Sequence, residues 1–156
     1  MEVSGATSTK RPVRLHTGQK IFTLEDANRT LPLVSKIMAD VVEQDKRVCM
    51  LEEHCQAPGP GVTKGELEEL RERYVGELDK LWQLREELSA IGCQLKDWRR
   101  GIVDFLAIYQ GRLVELCWRF GEEKIEHWHE VDAGYRGRQP INEVLFSKCS
   151  HIESKP

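Results

Sequence analysis

Residues 57–61 read Ala57-Pro58-Gly59-Pro60-Gly61, and this stretch separates two long amphipathic segments. Two prolines and two glycines within five residues exclude a helix there, because proline lacks an amide donor and glycine leaves the backbone too free. Thr63 and Glu66 follow in the T-x-x-E spacing of a capping box, which predicts that a new helix begins at this point. The stretch therefore predicts a turn between two helices.

Apolar residues recur at alternating spacings of three and four on both sides of this turn. The upstream pattern consists of Leu31, Val34, Ile37, Val41, Val48, Leu51 and Cys55, interrupted by Gln44. The downstream pattern consists of Leu67, Leu70, Tyr74, Leu81, Leu84, Leu88 and Ile91, interrupted by Glu77. This period and the short connection predict an antiparallel helical hairpin with coiled-coil-like packing.

Gln44 and Glu77 are the polar interruptions in these two stripes. Counting outward from the turn places them in one layer of the hairpin. Two arrangements are open: the side chains hydrogen-bond to each other and fix the register, or each lies at the solvated margin of its stripe.

The first helix has an expected break near its start. Thr23 and Asp26 resemble a capping box, so ordered structure is predicted to begin near residue 21. Pro32 then predicts a short helix over 24–30 followed by a kink, because a proline removes one helical hydrogen bond and clashes with the preceding turn.

After Gly92, which is placed as a helix C-terminal glycine, the pattern changes to short segments separated by turn residues. Strands are predicted over 93–97, 102–109, 113–120 and 125–129. A tight turn at Gln110-Gly111 places Phe105 opposite Leu116 on the face that covers the helices. The same register places Asp104 beside Cys117 on the opposite face. The fold class is therefore α+β: a long antiparallel helical hairpin with a kinked N-terminal helix, followed by a small antiparallel β-sheet.

Charge and composition predict three regions in the 156 residues. Residues 1–20 are a basic, disordered arm, residues 21–142 a single domain with helices over 24–92 and sheet and loop over 93–142, and residues 143–156 a C-terminal tail. Residues 21–92 carry nine basic and fifteen acidic side chains, which argues against a nucleic-acid binder.

Other features of the sequence bear on compartment and assembly. The absence of a long apolar run and of a secretory signal predicts a cytoplasmic protein without membrane contact. Five cysteines without a CxxC pair fit a reducing compartment. A hairpin alone seldom buries both of its faces, so we expect a homodimer formed through the hairpin.

Residues 127–140, HWHEVDAGYRGRQP, concentrate polar and aromatic groups without a hydrophobic period and are the best place to look for a site. His127 and His129 point to one side of a strand, and with Asp132 they would form a two-histidine, one-carboxylate set for a divalent metal ion. Known folds that bind metal through HxH use more strand than this chain offers.

Two other chemistries remain open for the same region. Its arginines and its flexible Gly134 and Gly137 could hold a small anion; alternatively, Asp97, Asp104 and Asp132 pair with the arginines internally. Those arginines are Arg112, Arg119, Arg136 and Arg138. Catalysis by Cys117, His129 and an aspartate is conceivable, but no nucleophile elbow, P-loop or HExxH motif is present.

Four motifs give the chain a resemblance to a bacterial family catalogued as a domain of unknown function. They are the segment from Phe22 to Leu33 and the patterns LxDxxxGxVDF, LCWxxGE and WHxxxxGYxGR, which begin at Leu95, Leu116 and Trp128. The likeness covers about residues 21–141. It implies polar positions at Asp97, Asp104, Trp118, Glu122, His129 and Arg138. The family pattern has an aromatic residue at position 127, which speaks against His127 as a ligand.

These observations define one candidate site and three functions. The candidate ligand-binding residues are Asp97, Asp104, Arg112, Trp118, Glu122, His129, Tyr135 and Arg138. We expect a binding or interaction module with a polar pocket near His129 and Arg138 for a small anionic or metal-bound ligand. The alternatives are a metal-dependent hydrolase or related enzyme, and a helical scaffold without a ligand.

Overall fold

A computed structural model describes residues 20–144 and Phe146. Two helices, α1 and α2, pack against each other and are followed by a five-stranded antiparallel sheet in which the strands lie in chain order. The elements are α1 (Leu24–Gln56), α2 (Lys64–Ile91), β1 (Gln94–Asp97), β2 (Ile102–Tyr109), β3 (Arg112–Arg119), β4 (His127–Glu130), a 3₁₀ turn (Tyr135–Gly137) and β5 (Gln139–Pro140). The predicted α+β class is confirmed.

The two chain ends fall largely outside this description. The predicted basic arm over 1–20 lies outside the described residues except for Lys20, and the predicted tail is described only for Glu143, Val144 and Phe146. Phe146 is buried and its ring stacks on Tyr109 at 4.5 Å between centroids. None of the described helices is long and apolar enough to cross a membrane.

Both helices begin at threonine caps, as their sequence predicts. The Thr63 side chain accepts from the Glu66 amide at 3.2 Å, and the Glu66 carboxylate accepts from the Thr63 amide at 2.8 Å. Helix α1 continues through Pro32, so the predicted separate helix over 24–30 is wrong. Leu31 and Val34 on either side of the proline are buried. Their packing offsets the cost of a proline in a helix, which is about 3 kcal/mol.

Gln44 and Glu77 share one layer of the hairpin and hydrogen-bond to each other. The Gln44 side-chain amide donates to the Glu77 backbone carbonyl at 2.8 Å and to the Glu77 carboxylate at 2.5 Å. Gln44 is only 5% exposed, and its carbonyl oxygen accepts from Arg47 at 3.4 Å. The arrangement that fixes the register is therefore the one that forms.

The sheet has two buried faces of different character. The predicted register is confirmed, because Phe105 pairs with Leu116 and Asp104 pairs with Cys117. Phe105 and Leu116 belong to the hydrophobic core that includes the helices, whereas Asp104 and Cys117 are buried outside that core. A polar residue on the far face is thereby removed from water without entering the main core.

Strands β4 and β5 differ from the sequence prediction. β4 covers His127–Glu130, so the predicted strand over 125–129 begins too early. The Ile125 amide donates to the Asn28 side chain of α1 at 2.8 Å, and Ile125 lies outside β4. β5 is only two residues long and contains a proline, so the sequence has no strand pattern that would predict it.

The Gln44 layer can be tested by unfolding. We expect Gln44→Ala to lower the free energy of unfolding by about 1–2 kcal/mol, because the buried Gln44 side chain and its hydrogen bonds to Glu77 are lost. The matched control is Gln83→Ala, which removes an exposed amide that bonds Asp79 at 3.2 Å and should change stability by less than about 0.5 kcal/mol. Urea denaturation measures both, and equal effects would show that the layer does not stabilise the hairpin.

Candidate metal centre

Four ionisable side chains from three strands meet on the sheet face that points away from the helices. Asp104 lies on β2, Glu115 and Cys117 on β3, and His129 on β4. The register pairs Asp104 with Cys117 and Glu115 with His129, so the four form two adjacent cross-strand rows. All four are buried, and none is more than 4% exposed.

His129 is held from both ring nitrogens. Nδ1 lies 2.7 Å from the backbone carbonyl of Glu130, and Nε2 lies 2.9 Å from Oδ2 of Asp104. A carbonyl only accepts, so the Nδ1 atom carries a hydrogen and Nε2 is the atom presented to the cluster. Burial alone lowers the pKa of His129, but the bonds to Asp104 and to the Glu130 carbonyl outweigh it, and the pKa is raised overall.

The pKa values of Glu115 and Cys117 are shifted in the direction that favours their neutral forms. Burial, with the nearby Asp104 carboxylate, raises the pKa of Glu115 to about 7, although Lys96 at 3.3 Å opposes the shift. Burial and Asp104 also raise the pKa of the Cys117 thiol. The cluster thus holds more acidic groups than its own cations can neutralise.

Two carboxylate oxygens of the cluster are buried without a hydrogen bond. They are Oδ1 of Asp104 and Oε2 of Glu115, the latter 3.7 Å from Nε2 of His129. Asp104, Cys117 and His129 each offer one ligand atom, and these three atoms lie within 4.8 Å of one another. Oxygen, sulfur and imidazole nitrogen together are the donor types that zinc accepts, and orphaned buried acceptors suit a cation.

Arg138 organises a second polar group beside this cluster. Its Nη2 donates to Oε1 of Glu122 and to Nδ1 of His127, both at 2.6 Å. His127 pairs with Cys117 across β3 and β4, which brings this group against the cluster. The guanidinium lies over the Tyr135 ring, with its carbon 4.7 Å from the ring centroid.

One terminal nitrogen of the Arg138 guanidinium is buried without a hydrogen-bond partner. Burial lowers the pKa of Arg138, but its bond and ion pair with Glu122 raise it more, so the group stays charged. Nη1 is buried and makes no hydrogen bond. Glu122 itself is held by the Arg119 amide, which donates to Oε2 at 3.0 Å.

The structure thus brings together five of the eight candidate residues. These are Asp104, Glu122, His129, Tyr135 and Arg138. The other three lie elsewhere. Asp97, the last residue of β1, accepts from the Arg100 amide at 2.9 Å and from its guanidinium at 2.8 Å. This turn lowers the pKa of Asp97.

Arg112 and Trp118 lie on the helix-facing side of the sheet. Arg112 donates to both carboxylate oxygens of Glu130, at 3.0 and 3.2 Å from its Nε. Trp118 is fully buried in the core, and its indole nitrogen donates to the Glu122 carbonyl at 2.9 Å. Among the candidate metal ligands, Asp132 is exposed in a turn after β4 and His127 accepts from Arg138.

Two members of the cluster were not recognised as ligands from the sequence. The sequence pattern assigns no ligand role to Glu115 and favours Cys117 only as a nucleophile. A signal exists for both, because Glu115 and Cys117 alternate on β3 and share the face of Asp104. Their placement near His129 requires the β3–β4 register, in which Glu115 pairs with His129 and Cys117 with His127. Residues 120–126 do not specify this register through any tight-turn motif.

The Asp104–His129 pair can be tested by its effect on stability. With chelator present, we expect Asp104→Ala to lower the free energy of unfolding by about 2–3 kcal/mol, because it leaves buried Nε2 without a partner. The control Asp132→Ala removes an exposed carboxylate and should have an effect below about 0.5 kcal/mol. Urea unfolding that fails to distinguish the two variants would contradict the pairing.

The chain matches the family described as "Uncharacterized conserved protein (DUF2203)" over residues 20–141, and it belongs to that family. This confirms the membership expected from the four motifs. No curated protein and no solved structure matches the chain.

Proposed function

We propose that this family member is a binding module that holds one divalent transition-metal ion at Asp104, Cys117 and His129, with Glu115 within reach as a fourth ligand. The observation that carries the proposal is the buried set of three ligand atoms within 4.8 Å of one another. Zinc is the favoured ion, since sulfur, imidazole and carboxylate ligands in a tetrahedral arrangement are typical of it.

The protonation pattern supports this choice. Metal binding would take the Cys117 thiol proton and the Nε2 proton of His129, and the cation would compensate the Asp104 carboxylate. The Nδ1 bond to the Glu130 carbonyl can persist, and it is the outer hydrogen bond that commonly orients a histidine ligand. The orphaned oxygens of Asp104 and Glu115 would gain a partner.

A second ligand class has its own observation. The buried Nη1 of Arg138 is an unused donor on a charged fork, which suits a carboxylate or phosphate oxygen. We therefore propose that Arg138 can hold a small anion beside the metal site. The Tyr135 ring and Glu122 keep the guanidinium in place for this role.

The burial of the cluster argues against the metal-dependent hydrolase as its function. A metal-dependent hydrolase needs an open coordination position that water and substrate can reach, but Cys117 and His129 are 0% and 1% exposed. A closed site favours binding over hydrolysis.

The homodimer through the hairpin stays a prediction, and the burial of the helices favours it. Helix α1 has nine buried residues, whereas α2 has only Leu81 and Leu88. Val75 on α2 is 62% exposed. A second copy that packs on α2 would cover this apolar surface.

Metal analysis of untagged protein tests the metal site. We expect about one equivalent of bound zinc, lost in His129→Ala and Cys117→Ala because each removes a ligand. His127→Ala and Cys93→Ala are matched controls that should keep the metal. In cobalt-substituted protein, a thiolate-to-cobalt charge-transfer band should vanish in Cys117→Ala and persist in Cys93→Ala.

The opposite results would overturn the assignment. Folded wild-type protein that takes up neither zinc nor cobalt would contradict the metal site and favour the scaffold. Metal lost in His127→Ala and kept in Cys117→Ala would restore the HxH ligand set.

Acetate or phosphate added to the cobalt protein should shift the spectrum in wild type and not in Arg138→Gln; an unchanged wild-type spectrum would contradict the anion role.

Analytical ultracentrifugation tests the dimer. We expect wild-type protein to sediment as a dimer and Val75→Lys to shift it toward monomer, because a charge would be buried at the interface. Val62→Lys changes an exposed valine in the turn between the helices and should leave the dimer intact. Wild-type protein that sediments as a monomer would rule out this assembly.

A further inference from the structure

A cleft of about 390 Å³ lies at the outer strand β1, and Lys96 in its lining contacts Glu115 of the cluster. It is lined by Arg85, Leu95, Lys96, Asp97, Trp98 and Arg99. These residues come from the second half of α2, from β1 and from the turn after β1. The volume is in the range of small-molecule sites, which is roughly 300–1,000 Å³.

The charge of this cleft is positive although the helical region of the chain is acidic. Three of its six lining residues are cations, and its one carboxylate, Asp97, is already bonded to Arg100. Lys96 forms an ion pair with Glu115 at 3.3 Å. Within residues 20–144, neither Arg85 nor Arg99 forms an ion pair with a carboxylate. Arg99 donates from Nη2 to the Cys49 sulfur at 3.6 Å, so both guanidinium groups at the cleft lack an anionic partner there.

The aromatic wall of the cleft is held in place by contacts behind it. Trp98 packs edge-on against Trp82, with ring centroids 6.1 Å apart and planes at 87°. The Arg85 guanidinium lies 4.8 Å from the Trp82 ring centroid. Trp82 itself is 44% exposed, so it lies at the surface.

We infer that this cleft binds a small phosphate-bearing aromatic molecule of the nucleotide type. The guanidinium groups of Arg85 and Arg99 match the oxygen pairs of a phosphate, and an indole is the side chain on which a planar base packs best. Such a ligand needs only a local cluster of cations, so the acidic helices that argue against a nucleic-acid surface do not oppose it. The inference does not depend on the metal site.

Isothermal titration calorimetry of the full chain tests the inference, with ADP, inorganic pyrophosphate and adenosine as probes. Chelator is kept in the buffer so that metal-bridged nucleotide does not contribute. We expect saturable binding of ADP, weaker binding of pyrophosphate and none of adenosine. Arg85→Gln and Arg99→Gln should each weaken ADP binding by about tenfold or more, because each loses a charge-assisted hydrogen bond.

The controls separate location from net charge. Arg71→Gln removes an exposed cation of α2 outside the cleft and should leave ADP binding within about twofold of wild type. Trp98→Leu should weaken ADP binding and leave pyrophosphate binding unchanged. Arg85→Lys keeps the positive charge but removes the bidentate guanidinium, and it replaces Arg85→Gln in the test if that variant folds poorly. We expect Arg85→Lys to bind ADP more weakly than wild type.

Three results would overturn the inference. Absence of saturable binding of ADP and pyrophosphate to folded wild-type protein removes the site. ADP binding that survives Arg85→Gln and Arg99→Gln places the ligand elsewhere. Equal affinity for ADP and pyrophosphate, unaffected by Trp98→Leu, rejects the aromatic ligand. Metal content stays as in wild type in every cleft variant, so failure here is distinguishable from failure of the metal site.

Discussion

The antiparallel pairing of β2 with β3 is the constraint on which the rest of the structure depends. Gln110 and Gly111 both adopt left-handed backbone, with φ of 51° and 73°, as a two-residue hairpin turn of the right twist requires. The turn sets the register, and the register assigns each side chain to one face of the sheet. A shift by one residue would turn Phe105 away from the helices and Asp104 into their core.

The polar layer on the far face has a free-energy cost that an apolar layer would not have. Removing Asp104 and Glu115 from water disfavours their charged forms, and His129 can compensate only part of that cost. A buried ion pair is weak evidence for stability in its own right. Two buried carboxylate oxygens without a hydrogen bond lie beside a thiol and an oriented imidazole, and this arrangement is what supports the proposed cation.

The arginines of the sheet region fall into two groups that differ in their partners. Arg112 and Arg138 are paired with Glu130 and Glu122, and these pairs hold the strands and the 3₁₀ turn in place. Internal pairing thus forms for these two arginines, but with glutamates and not with the predicted partners Asp97, Asp104 and Asp132. Arg99, with Arg85 of α2, has no such carboxylate among the described residues. The positive charge of Arg85 and Arg99, which is not used in internal ion pairs, distinguishes the cleft at β1 from the paired arginines of the sheet.

Local pattern by itself determined the two helices, their threonine caps, the turn between them, the Gln44–Glu77 layer and the β2–β3 register. It therefore placed Asp104 beside Cys117 correctly, because each of these features depends on residue spacing within a helical hairpin or a tight turn. Only the tertiary structure decided that α1 continues through Pro32 and that Glu115 joins His129. Asp97 and Arg112 are charged residues of the kind that binding sites use. However, Asp97 pairs with Arg100 and Arg112 pairs with Glu130, so neither belongs to the cluster around His129. The physical reason is that periodicity determines the face on which a side chain lies. Residues 120–126 form an irregular connection between β3 and β4, so the cross-strand partners of these two strands are set by the packing of the whole chain.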